Sequence, residues 1–172
     1  MIAADLLHRI ERSLPDQGRH LVVGAWIGTA VFVVSALVAV FVPAARTVGA
    51  VVALALFGLG CVSFLMAYAR AVDRSRTEEI GIGGLYFLAG SAPRGVRLHL
   101  MGATAIQTVT AFATASLRPV TALAFGILVP MFGLGVAGLW AARYGEFPRR
   151  TTLKPKRQSS PSGKPPKAGK TP

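Results

Sequence analysis

Four stretches of 20 or more residues, 21–42, 47–69, 98–117 and 120–142, carry no Asp, Glu, Lys or Arg. Hydrocarbon about 30 Å thick is crossed by about 20 apolar residues of α-helix, each rising about 1.5 Å. All four stretches are long enough. The first, second and fourth are apolar all round instead of alternating with a 3.6-residue period, the pattern of a membrane span and not of a soluble amphipathic helix. The third is weaker, being rich in Ala and Thr and holding His99 and Gln107. The pattern predicts an all-α integral membrane four-helix bundle made of two tight helical hairpins. An interfacial helix is expected before the first span and a disordered tail after the last.

Orientation follows from where the cations fall. The segment before the first span holds three Lys or Arg, the loop 70–97 five and the segment from 143 onward nine, so 17 of the 19 fall on one face. Arg46 and Arg118 alone fall on the other. Cytoplasmic loops carry the excess of Lys and Arg, which puts both termini in the cytoplasm of a cell (inner) membrane. The net charge of +12 is thereby explained without a nucleic-acid partner, for which no soluble body is evident. A cleaved secretory leader is the competing reading, since Val42-Pro43-Ala44 loosely resembles a signal-peptidase site. A secretory apolar region usually has about 7–15 residues, however, and this one is longer.

Three cytoplasmic segments follow from that topology. Over 1–20, Leu6, Leu7, Ile10 and Leu14 share one helical face and Asp5, His8, Arg9, Glu11 and Arg12 the other, the pattern of a helix lying on the inner leaflet. The loop 70–97 opens with polar residues. Ser75 and Glu78 have capping-box spacing, which predicts a helix start there. Residues 80–92 are apolar but too short to span, and Gly81, Gly83 and Gly84 weaken a regular helix. Lying in the interface, entering it from one side and packing on a partner all remain open for this stretch. Leu85, Tyr86 and Phe87 are its candidate partner contacts. The tail, 143–172, is rich in Pro, Ser, Gly and Lys and is expected to be disordered. Arg143, Arg149, Arg150, Lys154, Lys156 and Arg157 form a juxtamembrane cluster with the charge to attract anionic lipid of the inner leaflet. Phosphorylation at Ser159, Ser160 or Ser162 would weaken that attraction.

Chemistry within the spans is sparse. All seven carboxylates, Asp5, Glu11, Asp16, Asp73, Glu78, Glu79 and Glu146, lie outside them. Proton- and cation-coupled transporters usually keep an ionisable group near the membrane middle. Small multidrug transporters, which also have four helices, depend on such a glutamate. No nucleophile elbow, HExxH pair or phosphate-binding loop is present, and His8, His20 and His99 are scattered. Cys61 is single and sits in an apolar run. The sequence thus assigns no catalytic, cofactor-binding or metal-ligating residue. Gln107, Thr104 and Thr108 are the candidate intramembrane polar contacts. Threonines can bond to carbonyls of their own helix, whereas Gln107 calls for a partner on another. Small residues at four-residue spacing, Gly24 with Gly28, Gly49 with Ala53 and Gly133 with Ala137, are candidate helix-packing positions, since backbones approach where side chains are small. Gly138 with Ala142 repeats the spacing. Pro130 is expected to kink the fourth span and free the carbonyl near Gly126.

The run Val129-Pro130-Met131-Phe132-Gly133-Leu134-Gly135, with Gly138-Leu139-Trp140 and Arg143-Tyr144-Gly145-Glu146-Phe147-Pro148 behind it, resembles small four-helix integral membrane proteins of high-GC actinobacteria. Thr77-Glu78-Glu79-Ile80 and Gly90-Ser91-Ala92-Pro93 resemble the same group. The resemblance covers about the second half of the chain. It implies a bacterial inner membrane and no assigned activity. The expectation is a non-enzymatic accessory or scaffold subunit of a cell-envelope assembly, bound to a membrane-protein partner or to copies of itself. A small oligomeric transporter or channel using the Gln107 face is the alternative.

Overall fold

The computed structural model describes residues 17–117 and 121–150. The interfacial helix expected over 1–20, the connection 118–120 and the tail from 151 onward fall wholly or largely outside the described residues. Among those described, the elements are α1 (Arg19–Phe41), a 3-10 turn (Pro43–Ala45), α2 (Arg46–Arg74), the short α3 (Ile82–Tyr86), α4 (Arg94–Leu117), a 3-10 segment (Ala122–Leu128) and α5 (Pro130–Tyr144). The described fold is all-helical, and its one pairing of extended backbone is the antiparallel bridge Glu78–Arg149. Four helical segments are long and apolar enough to cross a membrane: Arg19–Phe41, Pro43–Arg74, Arg94–Leu117 and Ala122–Tyr144.

Two boundaries differ from the sequence expectation. α2 continues through Arg74, beyond residue 69, and ends at Ser75, whose N–H bonds back to Ala71 O (2.8 Å). Arginine is a good helix former, so the polar residues after the span extend the helix instead of ending it. Ser75 and Glu78 therefore do not start a helix: Ser75 Oγ bonds to Val72 O (2.7 Å), closing the one before. The fourth span is not one kinked α-helix. A 3-10 segment forms its first part, and Pro130 opens α5, where a residue without N–H is tolerated. The Gly126 carbonyl is not freed, because Val129 N–H donates to it (3.0 Å).

The helices pack in the ring α1–α2–α5–α4, with the α2–α5 interface the most extensive. α5 is the central member: half of the fourth span is buried, against 33% or less in the other three. The tightest crossing joins α2 to α5 at Gly60 and Gly135. A Cβ at Gly60 would strike the backbone of Met131 and Phe132, and one at Gly135 would strike Gly60 itself. Of the six packing positions expected from sequence, Gly28 lies against Phe132, Gly49 against Ala39 and Gly133 against Thr104 and Gln107, while Ala53 and Ala137 are buried. Gly24 does not pack: it faces outward with open space around it. A four-residue step is not a whole turn of helix, so the two glycines of the motif need not meet the same neighbour.

The bundle has two unlike ends. At the hairpin end, α1 and α2 join through 42–45, and Arg46 is the one charged side chain there among the described residues. Every other described Asp, Glu, Lys or Arg lies at the opposite, loop end, as do all Trp and Tyr side chains: Trp26, Tyr68, Tyr86, Trp140 and Tyr144. Between the ends the outward surface is apolar, with Val34, Val51, Leu65 and Val109 each more than half exposed.

The Gly60–Gly135 crossing yields a direct test. Gly135→Ala should destabilise the bundle by about 1–3 kcal/mol, the usual cost of overpacking, while Gly24→Ala should stay within about 0.5 kcal/mol of the parent. Unfolding titrations in mixed micelles read both; equal effects would contradict the packing.

Candidate functional site

Two places gather polar or accessible chemistry. The first is a contact inside the bundle. Gln107 of α4 is fully buried, and its Nε2 donates to Thr29 Oγ1 of α1 (2.7 Å). Thr29 Oγ1 in turn donates to Ala25 O one turn back (2.7 Å), so its lone pairs are left to accept from the amide. That order of donors fixes which way the Gln107 amide faces. Its Oε1 then points at Gly133 and has no hydrogen-bond partner among the described residues. Thr104 shares this spot, but its hydroxyl bonds to Leu100 O (2.9 Å), and Thr108 bonds to Thr104 O (2.9 Å). Of the three polar candidates, Gln107 alone links two helices through its side chain. Thr29, its partner, was not singled out from the sequence. The spacing along α4 identified a group in need of a partner but carried no information on which helix faces it.

The second place is the loop end, assembled around Arg74. Placed at the end of α2, its guanidinium donates to Ala142 O and Gly145 O (both 3.0 Å), closing the C-terminus of α5. It also pairs with Glu78 one turn on (2.7 Å) and lies over the Phe147 ring, 5.4 Å from the centroid. A cation at a helix C-terminus meets the negative end of its dipole, and hydrogen bonds to charged groups are the stronger kind. From the sequence Arg74 counted only as one positive charge of the loop. Its i, i+4 spacing to Glu78 was the available signal.

The apolar stretch 80–92 folds onto this frame. Tyr86 stacks on Phe64 of α2, with centroids 4.1 Å apart and planes 8° from parallel, and its hydroxyl donates to Phe64 O (3.3 Å). Burial, with Tyr68 second, pushes the Tyr86 phenol above its ordinary value, so it stays a neutral donor. Leu85 and Leu88 are buried as well. Leu88 takes a left-handed backbone (φ 55°) in a turn where Phe87 and Ala89 both donate to Gly83 O. Ser91 Oγ bonds to Gly84 O, and Glu146 N–H to Ser91 O (3.0 Å). Leu85 and Tyr86 are therefore internal side chains, not partner contacts as the sequence suggested; Phe87 remains half exposed beside Ile82. Aromatic and apolar character in a loop does not distinguish packing on a partner from packing on its own bundle.

The start of the tail is also fixed. Glu79 N–H donates to Pro148 O (2.8 Å) and Arg150 N–H to Thr77 O (2.9 Å), a short clasp that contradicts disorder over 143–150. Arg143 lies over the Tyr144 ring, while Arg149 and Arg150 are exposed beside the loop. Lys154, Lys156 and Arg157 lie outside the described residues.

Two concavities flank the segment 75–81. A groove of about 460 Å³ runs along α2, walled by Phe64, Tyr68, Val72, Leu85, Phe87 and Leu134 and bounded by Ser75, Ile80 and Gly81. A cleft of about 540 Å³ is lined by Arg76, Thr77, Glu78, Arg149 and Arg150. A third concavity, about 330 Å³, lies between Ser91, Trp140 and Glu146, and a fourth, about 520 Å³, along α4 beside Arg94 and Arg97. Gln107, Thr104 and Thr29 line none of these four. Among the described residues no three His, Cys, Asp or Glu side chains come together as a metal site would require.

The Gln107–Thr29 contact is asymmetric, and so are its expected variants. Thr29→Val strands the buried Gln107 amide and should cost about 1–2 kcal/mol. Gln107→Leu removes donor and orphaned acceptor together and should change stability by less than about 1 kcal/mol. Unfolding in mixed micelles separates the two; a larger loss for Gln107→Leu would contradict the hydrogen-bond order.

Compared with protein-family models, with curated proteins and with solved structures, the chain matches none of them.

Proposed function

We propose that this chain is a multi-pass protein of a bacterial inner membrane, with four spans and both termini cytoplasmic, acting as a non-enzymatic accessory or scaffold subunit of a cell-envelope assembly. Charge supports the placement. Arginines collect at the loop end, which matches a cytoplasmic face. Tryptophan and tyrosine, the residues of membrane interfaces, collect at the same end. Apolar side chains more than half exposed along the middle of the helices would be a liability in water and suit a lipid or protein surround.

The observation that carries the scaffold reading is the enclosure of Gln107. A polar path through the bundle would need that side chain to meet a cavity, yet it is packed between α1, α4 and α5 with its amide bonded to Thr29. Among the described residues, the concavities lined by polar or charged loop residues are at the loop end. Partner contacts are assigned to the apolar exteriors of α1 and α2, for instance Val34, Leu59 and Val62. Anionic lipid of the inner leaflet is the expected surround of the loop end.

Purification from membranes in a mild detergent, with a photo-crosslinker at Val34 or Val62, tests this. The expected outcome is a discrete protein adduct, from a second polypeptide or another copy of this chain. A clean monomer with no adduct at either position would overturn the scaffold reading. The transporter alternative makes the opposite demand: Gln107→Leu would abolish solute flux in reconstituted vesicles.

A further inference from the structure

We propose that the loop end holds one anionic phospholipid of the inner leaflet, an acyl chain lying in the groove along α2 and the phosphate meeting Arg76, Arg149 and Arg150. The inference rests on the membrane placement proposed above and adds a defined occupant to it. Its basis is the juxtaposition of an apolar slot and a basic cleft across a single stretch of chain. Ser75, Ile80 and Gly81 bound the groove, while Arg76, Thr77 and Glu78, from the same seven residues, line the cleft.

Direction and length agree with a lipid. The groove runs from Phe64 and Leu134, inside the spans, to Ser75 at the end of α2. Eleven residues of helix make it about 16 Å long. Its deep end is apolar and its open end adjoins the arginines, as an acyl chain pointing toward the bilayer centre with its phosphate at the surface requires. Ile82 and Phe87, 75% and 51% exposed, stand at the rim, where acyl chains would cover them.

Charge is complementary as well. Glu78, the one acid lining the cleft, is already paired with Arg74. Glu79 and Asp73 are exposed nearby, but neither lines the cleft nor forms an ion pair among the described residues. The side chains of Arg76, Arg149 and Arg150 likewise have no ion-pair partner among the described residues. The clasp between 77–79 and 148–150 holds two of these arginines beside the loop before any ligand arrives, which lowers the ordering cost of binding. Arg94 and Arg97 are also cationic at the same end but sit on one helix, apart from the slot.

Native mass spectrometry of the full chain in mild detergent, with phosphatidylglycerol or phosphatidylcholine added, tests the proposal. The parent should retain one phosphatidylglycerol in preference to phosphatidylcholine. R76Q/R149Q should weaken that retention about tenfold, and R94Q/R97Q, which removes as much charge, by less than about twofold. Val72→Trp, which fills the slot at a half-exposed position and leaves every charge in place, should also lose the lipid. Equal losses from the two arginine pairs, or a full lipid complement on Val72→Trp, would overturn the site. A parent that inserts into vesicles but takes up no phosphatidylglycerol would overturn it too and leave the membrane placement standing. A chain that stays dissolved without detergent would overturn the placement itself.

Discussion

Carrying an arginine or aspartate to the middle of a bilayer costs about 2.5–3.5 kcal/mol even on the most lenient scale. This chain keeps Asp, Glu, Lys and Arg out of the middle of its four long helices and so would not meet that cost. The same constraint removes the usual source of cohesion. In lipid, apolar side chains gain nothing by leaving their surroundings for one another, so helices must be held by close contact and by bonds between polar groups. Both devices are present. Gly60 and Gly135 let the backbones of α2 and α5 touch, and Gln107 joins α4 to α1 through Thr29. The first holds one side of the ring, α2 with α5, and the second the opposite side, α4 with α1.

The loop end answers a different problem, that of finishing helices where the charged side chains gather. The last carbonyls of α5 have no partner within their own helix. Arg74 supplies one from the end of α2, so the terminus of one span is closed by the terminus of another. With Glu78 and Phe147 on the same guanidinium, the loop and the start of the tail are organised by one side chain. The clasp between 77–79 and 148–150 lies directly beyond it.

Much of this was legible in the sequence because it follows from composition over long windows. Helix positions, the weaker third span and the gathering of cations at one end require only hydropathy and charge. Gln107 as a group in need of an interhelical partner was legible for the same reason, since a polar side chain among apolar ones must be satisfied. What was not legible depends on which faces meet. Gly24 and Gly28 have the spacing of a packing motif, yet one faces outward. Gly60 and Gly135 make the closest crossing without belonging to any of the motifs considered. Ser75 and Glu78 have the spacing of a helix start and sit instead at a helix end, because the preceding arginines carry α2 onward. Leu85 and Tyr86 were candidate partner contacts, and the surface on which Tyr86 stacks, Phe64, lies on another element.

In the orientation proposed above, the loop end faces the cytoplasm and the hairpin end faces outward across a bilayer. Single-cysteine labelling of intact cells tests it most directly, using a Cys61→Ala background with Ala44→Cys or Thr77→Cys and a membrane-impermeant maleimide. Labelling at position 44 in intact cells, and at position 77 only after the membrane is opened, is the predicted result. The reverse pattern, or labelling of both positions in the aqueous fraction of a lysate without detergent, would contradict it.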